Sequence, residues 1–256
     1  MLKIVQLSVL SDNYIYLLHD SIDGVTAVVD PAESGPVLAA LTKQDWGLDY
    51  ILNTHHHWDH IGGNLELKDT TDCQVVGARS DRDRIPGIDI EVDEDDVFRL
   101  GQSEAKVLSV SGHTCGHIAY WFCDDEALFC GDTLFAMGCG RLFEGSPAQM
   151  WQSLSKLKML PGATRVYCAH EYTQANGRFA LSVDPNNSAL VERMRQVELS
   201  RSQGRPTVPS TIASELATNP FFRADAEAVQ ETLNMVGEKP LSVFTEIRRR
   251  KDHFKK

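Results

Sequence analysis

The chain has 256 residues, 42% of them apolar, enough for one large domain or a domain with a smaller companion and too apolar for disorder. A net charge of −11 argues against a general nucleic-acid binder and against a partner of anionic membranes. The opening residues are too few and too polar for a secretory signal, and no run approaches the roughly 18 apolar residues of a transmembrane helix, so a soluble cytoplasmic protein is expected. Six cysteines stand at 73, 115, 123, 130, 139 and 168 without a Cys-x-x-Cys pair, and reduced thiols are the expectation.

Three β-rich runs open the chain, Lys3–Val9, Asn13–Leu18 and Val25–Asp30, separated by turn residues. Gly35–Leu41 has helical spacing, and Tyr50–Asn53 is a short buried strand. A helix is expected over Ile61–Leu67, with Asp59 and His60 in its first turn. Short strands follow at Gln74–Ala78, Val97–Leu100, Ala105–Ser111, Ile118–Cys123 and Ala127–Cys130. Ser146-Pro147 is a helix start, an N-cap serine with proline at the first helical position, and the helix runs to about Leu160. Thr164–Cys168 is one more strand. Beyond Gln174 the β-branched alternation stops, and Ala189–Ser202, Thr211–Thr218, Ala224–Val236 and Leu241–Arg250 read as helices punctuated by prolines. A domain over 1–173 and a helical second domain over 174–256 are expected.

The most informative run is Thr54-His55-His56-His57-Trp58-Asp59-His60, four histidines and a carboxylate directly after Tyr50-Ile51-Leu52. Nitrogen and carboxylate ligands at this density suit divalent Zn, Fe or Mn. In extended backbone His55 and His57 point the same way and can share one ion, while His56 points away. Asp59 and His60, past the turn, can face a second ion. His113 lies in Ser111-Gly112-His113-Thr114-Cys115-Gly116-His117, where small residues let a loop approach a metal; His117 is better cast as its support. Asp132 follows the apolar Phe129-Cys130-Gly131, and its two oxygens can bridge two ions. His170 after Cys168-Ala169 gains weight only as the seventh member. These candidates follow predicted strand ends, where loops on a rigid scaffold carry sites. A polar loop with incidental histidines is disfavoured, because seven of the nine histidines lie in the three motif segments. Two metal ions around one water molecule make a hydrolytic centre.

These residues resemble the metallo-β-lactamase superfamily through the pattern His-x-His-x-Asp-His. Thr54–Asn64, Gly112–His117, Gly131–Phe135, Gly138–Gly145, His170–Thr173 and the basic end Arg248–Phe254 are similar to the glyoxalase II branch, the hydroxyacylglutathione hydrolases. The resemblance implies an α/β fold, a four-layer αββα sandwich followed by an α-helical C-terminal domain. It implies two divalent metal ions per chain, zinc first, with iron or manganese as alternatives. His55, His57 and His113 would hold one, Asp59, His60 and His170 the other, with Asp132 bridging. Asp59 and Asp132 would be the catalytic carboxylates, Asp59 as ligand and orienter of the nucleophile. Arg141, Phe143, Tyr172, Arg248 and Lys251 match substrate positions. Many members carry Lys where Arg141 stands, and some carry Tyr where Phe143 stands; these departures bear on affinity, not chemistry.

The activity implied is hydrolysis of S-(2-hydroxyacyl)glutathione, S-D-lactoylglutathione above all, to glutathione and the 2-hydroxy acid. A small-molecule glutathione thioester is then the expected partner of a monomer, with no nucleic-acid and no membrane partner. The last nine residues, 248–256, carry six basic side chains and one acidic, a charge suited to the carboxylates of glutathione. The alternative reading is a mononuclear iron glutathione persulfide dioxygenase on the same fold. Seven ligand candidates and the long helical domain argue against it. No Gly-x-Ser-x-Gly elbow competes with the metal reading.

Overall fold

Alternating apolar side chains pair Lys3–Val9 (β1) with Asn13–Asp20 (β2) in an antiparallel hairpin, and Val25–Val29 (β3) extends it on the far side of β2. A computed structural model of the chain describes residues 1–254; Lys255 and Lys256 of the basic tail lie outside the described residues. By its contacts the chain divides into two compact units. The first comprises Met1–Ser109 and Gly116–Gly131; the second comprises Val110–Cys115 and the residues from Asp132 onward.

In the first unit β3 leads into a helix, Ser34–Gln44 (α1), which stops where Asp45 takes a left-handed conformation (φ 57°). Parallel strands follow at Tyr50–Leu52 (β4), Gln74–Ala78 (β5) and Ile88–Val92 (β6), giving a six-stranded sheet in the order β1 to β6. Two helices, Trp58–Ile61 (α2) and Asn64–Thr71 (α3), lie between β4 and β5. α1 and α3 pack on this sheet, and Ile15, Leu17, Val28, Val37, Leu41, Ile51, Leu67 and Val75 form its core. Val97–Leu100 (β7), Ser103–Ser109 (β8), Ile118–Phe122 (β9) and Ala127–Gly131 (β10) form an antiparallel run. Its inner face meets the first sheet through Tyr16 on Phe129 (5.5 Å) and Tyr50 on Phe98 (5.1 Å). The Tyr120 hydroxyl donates to Asn53 O (3.1 Å), fixing the end of β4 from the opposite layer.

In the second unit a small hairpin, Leu134–Phe135 (β11) with Gly138–Cys139 (β12), precedes Pro147–Lys158 (α4). α4 starts with a full capping box between Ser146 and Gln149. Arg165–Cys168 (β13) pairs with Ser210–Thr211 (β14), and helices run over Thr173–Val183 (α5), Ser188–Ser202 (α6), Ile212–Thr218 (α7), Glu227–Leu233 (α8) and Pro240–His253 (α9). Phe179, Phe221 and Phe244 form an aromatic core, with Met137, Ala180, Leu190 and Met194 beside it. Glu215 of α7 is wholly buried. It accepts from Met137 N (2.8 Å), Asn219 Nδ2 (2.9 Å) and Arg193 Nη2 (2.7 Å), and so pins the β11–β12 hairpin to the helices.

Several elements depart from the sequence reading. The helix expected over Ile61–Leu67 is two helices broken at Gly62-Gly63. A Cβ at Gly62 would lie 2.5 Å from Ala32 O, and Gly63 N donates to Pro31 O (2.8 Å), so the break lets the chain touch the loop after β3. β6, β11, β12 and β14 were not expected; three of them are two-residue strands defined only by their partners. α5 was missed because Asn176 and Gly177 interrupt its helical signal. The absence of a Cβ at Gly177 lets the Met194 thioether pack closely on this helix. Among the described residues no helix is long and apolar enough to cross a membrane.

None of the six cysteines is disulfide-bonded, as expected. Burial pushes the Cys139 thiol up to about 11 against the opposing pull of Arg248, and burial pushes Cys168 up to about 12. Cys115 and Cys123 are exposed. Iodoacetamide at pH 8 is therefore expected to label Cys115 and Cys123 and to spare Cys139 and Cys168, as read by peptide mass mapping of the native protein. Labelling of Cys139 or Cys168 at the exposed-site rate would contradict this packing.

Candidate metal centre

Each unit carries a share of the metal-type residues. In the first, β4 delivers the chain into Asn53–His57. Thr54 is clamped there: its N and Oγ1 donate to the two Asp30 oxygens (2.8 and 2.7 Å), and its carbonyl accepts from Ile118 N (2.9 Å). His55 is buried and stacks on His117 (4.5 Å, 16°). Its Nε2 lies 3.1 Å from His57 Nδ1, so the two rings converge as expected, although the backbone bends at Thr54 and His55 rather than continuing as a strand. The intervening His56 instead meets Asp81, with Nδ1 2.9 Å from Oδ2. α2 opens at Trp58 and places Asp59 and His60 in its only turn.

Asn13 Nδ2 donates to Asp59 Oδ2 (3.0 Å) and to Asp59 O (3.2 Å). His60 Nδ1 donates to Asp30 Oδ2 (3.0 Å), which aims Nε2 toward Asp59 Oδ2 (3.6 Å). Asp30, His55 and His60 also bring three donor atoms within 4.8 Å of one another. Asp30 already accepts from Thr54 and His60, however, so it is an orienting carboxylate behind a histidine rather than a ligand. Asn13 and Asp30 were not singled out from the sequence. Nothing in their local motifs marks them; only the folded β1–β2 turn and the end of β3 bring them to Asp59 and His60.

In the second unit His113 Nδ1 donates to Arg141 O (2.9 Å), and Phe143 N donates to His113 O (3.2 Å). One oxygen of Asp132 lies 3.3 Å from His113 Nε2, and the other lies 3.4 Å from His170 Nε2. The His170 ring is stacked on Tyr172 (4.7 Å, 2°) and meets Phe135 edge-on. The structure thus gathers His55, His57, Asp59 and His60 in one unit, and His113, Asp132 and His170 in the other. Imidazole nitrogen with carboxylate oxygen is a donor set for divalent cations.

Gly140 is required beside this group. A Cβ there would collide with Asp132 O and stand 3.1 Å from His113 Nδ1. Gly140→Ala is expected to lower turnover about tenfold by displacing the Asp132 backbone, a loss of roughly 1.4 kcal/mol, with the circular-dichroism spectrum unchanged. Unaltered turnover would contradict the packing around Asp132.

The predicted substrate residues are not alike in their surroundings. Arg141, Phe143 and Tyr172 are exposed, with Phe143 edge-on to His113 (5.2 Å). Arg248 is only 4% exposed. Its guanidinium donates to Cys139 O (2.9 Å) and Asp252 Oδ1 (2.8 Å) and lies over Phe221. Lys251 donates to Ala175 O (3.3 Å) and stands over Phe179 (5.4 Å).

Residues 10–170 match the metallo-beta-lactamase superfamily, and residues 171–254 match the hydroxyacylglutathione hydrolase C-terminus. A hydroxyacylglutathione hydrolase of Methylococcus capsulatus is 58% identical over 255 residues, 100% of each chain. The chain belongs to the hydroxyacylglutathione hydrolase family. A second relative of that name, from Rhodospirillum rubrum, is 54% identical over 99% of each chain. Among solved structures, ETHE1 from Myxococcus xanthus matches with a TM-score of 0.68 at 25% identity, covering 97% of each chain. The α/β fold is the one expected, the metallo-β-lactamase sandwich followed by the helical C-terminal domain of the hydroxyacylglutathione hydrolases.

Proposed function

We propose that the chain is a binuclear thioester hydrolase that converts S-(2-hydroxyacyl)glutathione, including S-D-lactoylglutathione, and water to glutathione and the 2-hydroxy acid, the second step of methylglyoxal detoxification. The observation that carries the reading is Asp132: one carboxylate whose two oxygens each face a different imidazole, in a chain 58% identical to a hydroxyacylglutathione hydrolase. The donor spacing fits. Two nitrogens on one tetrahedral zinc, each about 2.0–2.1 Å from it, stand about 3.3 Å apart. The His55–His57 pair at 3.1 Å and the two Asp132–His pairs at 3.3 and 3.4 Å are close to that separation.

In this reading His55, His57 and His113 hold one ion, Asp59, His60 and His170 hold the other, and Asp132 serves both. Zinc is the first choice, with iron or manganese accepted by the same ligands. When bound, such cations lower the pKa of water toward neutrality and polarise a carbonyl. Three of these ligands are held by supporting groups of the protein. Asn13 holds the Asp59 carboxylate, Asp30 holds His60, and the Arg141 carbonyl holds His113, so the donors meet the substrate already aligned. Asp59 and Asp132 are the catalytic carboxylates of this reading, fixing where water stands against the thioester carbonyl. A C–O bond forms, the C–S bond breaks, and the thiol, of pKa about 8.5, leaves as thiolate with little help from a general acid.

The domain division in this proposal is a catalytic part over 1–173 and a helical substrate-binding part over 174–256. Arg141, Phe143, Tyr172 and Lys251 contact the glutathione moiety. Arg248 belongs to the same subsite and secures the Cys139–Gly140 backbone that leads to Arg141. A monomer in the cytoplasm suits six cysteines without a disulfide. The test is to follow thiol release and oxygen uptake in parallel on glutathione thioesters and on glutathione persulfide. Thiol release without oxygen uptake is expected; oxygen uptake on the persulfide with no thioester cleavage would instead identify the iron dioxygenase reading.

A further inference from the structure

His56 sits between two of the proposed ligands and takes no part in the metal chemistry, yet it is firmly held. Its Nδ1 lies 2.9 Å from Asp81 Oδ2, and Arg84 Nη1 lies 3.4 Å from its Nε2. The other Asp81 oxygen accepts from Arg84 Nη2. Asp81 has no exposed surface. It stands in the single 3-10 turn after β5, and its carbonyl also accepts from Arg84 N and Ile85 N. The carboxylate further abuts the chain at Gly116, where any Cβ would collide with Oδ1. A buried carboxylate is costly to a fold, and an apolar side chain would pack such a turn as well. Its position against both His56 and the backbone at Gly116 therefore calls for a role.

We propose that Asp81 is a positioning residue for the metal site, acting through His56. The His56 ring meets Asp81 while His55 Nε2 and His57 Nδ1 stand 3.1 Å apart. Anchoring the His56 ring to a rigid, buried carboxylate fixes the twist of the segment, and with it the convergence of His55 Nε2 and His57 Nδ1. Arg84 completes the device by holding the carboxylate and reaching the far nitrogen of the ring, so the anchor has one geometry. Asp81→Asn keeps the shape of the side chain but offers only one acceptor oxygen where His56 and Arg84 both donate. The inference rests on the proposed function, since it takes His55 and His57 to be ligands.

The test measures zinc dissociation by competition with a chromophoric chelator on the full chain, as wild type, D81N, H56A and D81N/H56A. Each single variant is expected to bind one of its zinc ions about 10–100-fold more weakly. The double variant is expected to fall no further than the weaker single, because both act on one element. The KM for the thioester should stay within about twofold while kcat falls at limiting zinc. Wild-type zinc affinity in D81N, or losses that add in the double variant, would overturn the inference. If D81N fails to fold by circular dichroism, H56A decides alone, and unchanged zinc affinity in it overturns the inference. A wild-type chain that binds no zinc would overturn the metal reading itself, and this inference with it.

Discussion

Asp132→Ala is expected to abolish thioester hydrolysis, with kcat/KM falling at least about 10³-fold, or roughly 4 kcal/mol of transition-state stabilisation. Bound metal should fall in the same variant. The reason is geometric. The carboxylate is 7% exposed and places one oxygen by His113 Nε2 and the other by His170 Nε2. Losing the carboxylate removes a donor from both proposed ions and two negative half-charges from a cluster that must hold several positive ones. Asp132→Asn separates shape from charge: it should retain the fold and still lose most of the metal. Turnover and metal content by elemental analysis read the result. An alanine variant with wild-type metal and wild-type turnover would refute the role given to Asp132.

The basic end of α9 carries the second large effect, and there burial separates two residues that look equivalent in sequence. Arg248→Ala should raise KM for the glutathione thioester about tenfold and also destabilise the protein. Its guanidinium is enclosed, and Cys139 O would lose its donor. Leaving a buried carbonyl unsatisfied costs about 1–3 kcal/mol. For a chain of this length that is a fall of about 2–12 °C in Tm. Asp252 is 40% exposed on its side chain, so the ion pair itself adds little. Lys251→Ala should raise KM by a similar factor with a smaller change in Tm, since its ammonium, less buried than the Arg248 guanidinium, donates to Ala175 O at 3.3 Å and lies over Phe179. Thermal unfolding beside initial-rate kinetics distinguishes the two. Equal Tm changes, or an unchanged KM in both, would contradict these assignments. The contrast also shows why deleting the tail after Ile247 is a poor test: it removes a structural tie along with any substrate contact.

Much of the fold was legible in the sequence because its signals are local. β1, β3, β5 and β7 alternate or run apolar between turn residues, and Ser146-Pro147 announces α4 through its own capping chemistry. What was missed depends on partners far along the chain. Strand β14 exists only by pairing with β13, forty-odd positions away. α5 survives an internal Gly177 because Met194 packs into the space that glycine leaves. The candidate ligands were legible for a different reason: histidine is rare, and five of them fall after strand ends in a spacing that metal chemistry explains. Their supports were not. Asn13 and Asp30 are ordinary polar residues at strand ends and Asp81 is one in a 3-10 turn, and each has meaning only through the folded contact it makes with Asp59, His60 or His56. The burial of Arg248 was likewise hidden, since a run of arginines at a helix end reads as a solvated surface.

The central claim is metal-dependent thioester hydrolysis by this donor set, and it is tested most directly by thiol release from S-D-lactoylglutathione before chelation, after chelation, and after zinc is restored. Rapid release that disappears with the metal and returns with about two zinc ions per chain is the expected result. Release that survives complete removal of metal, or no release from a chain shown to hold two ions, would contradict the account.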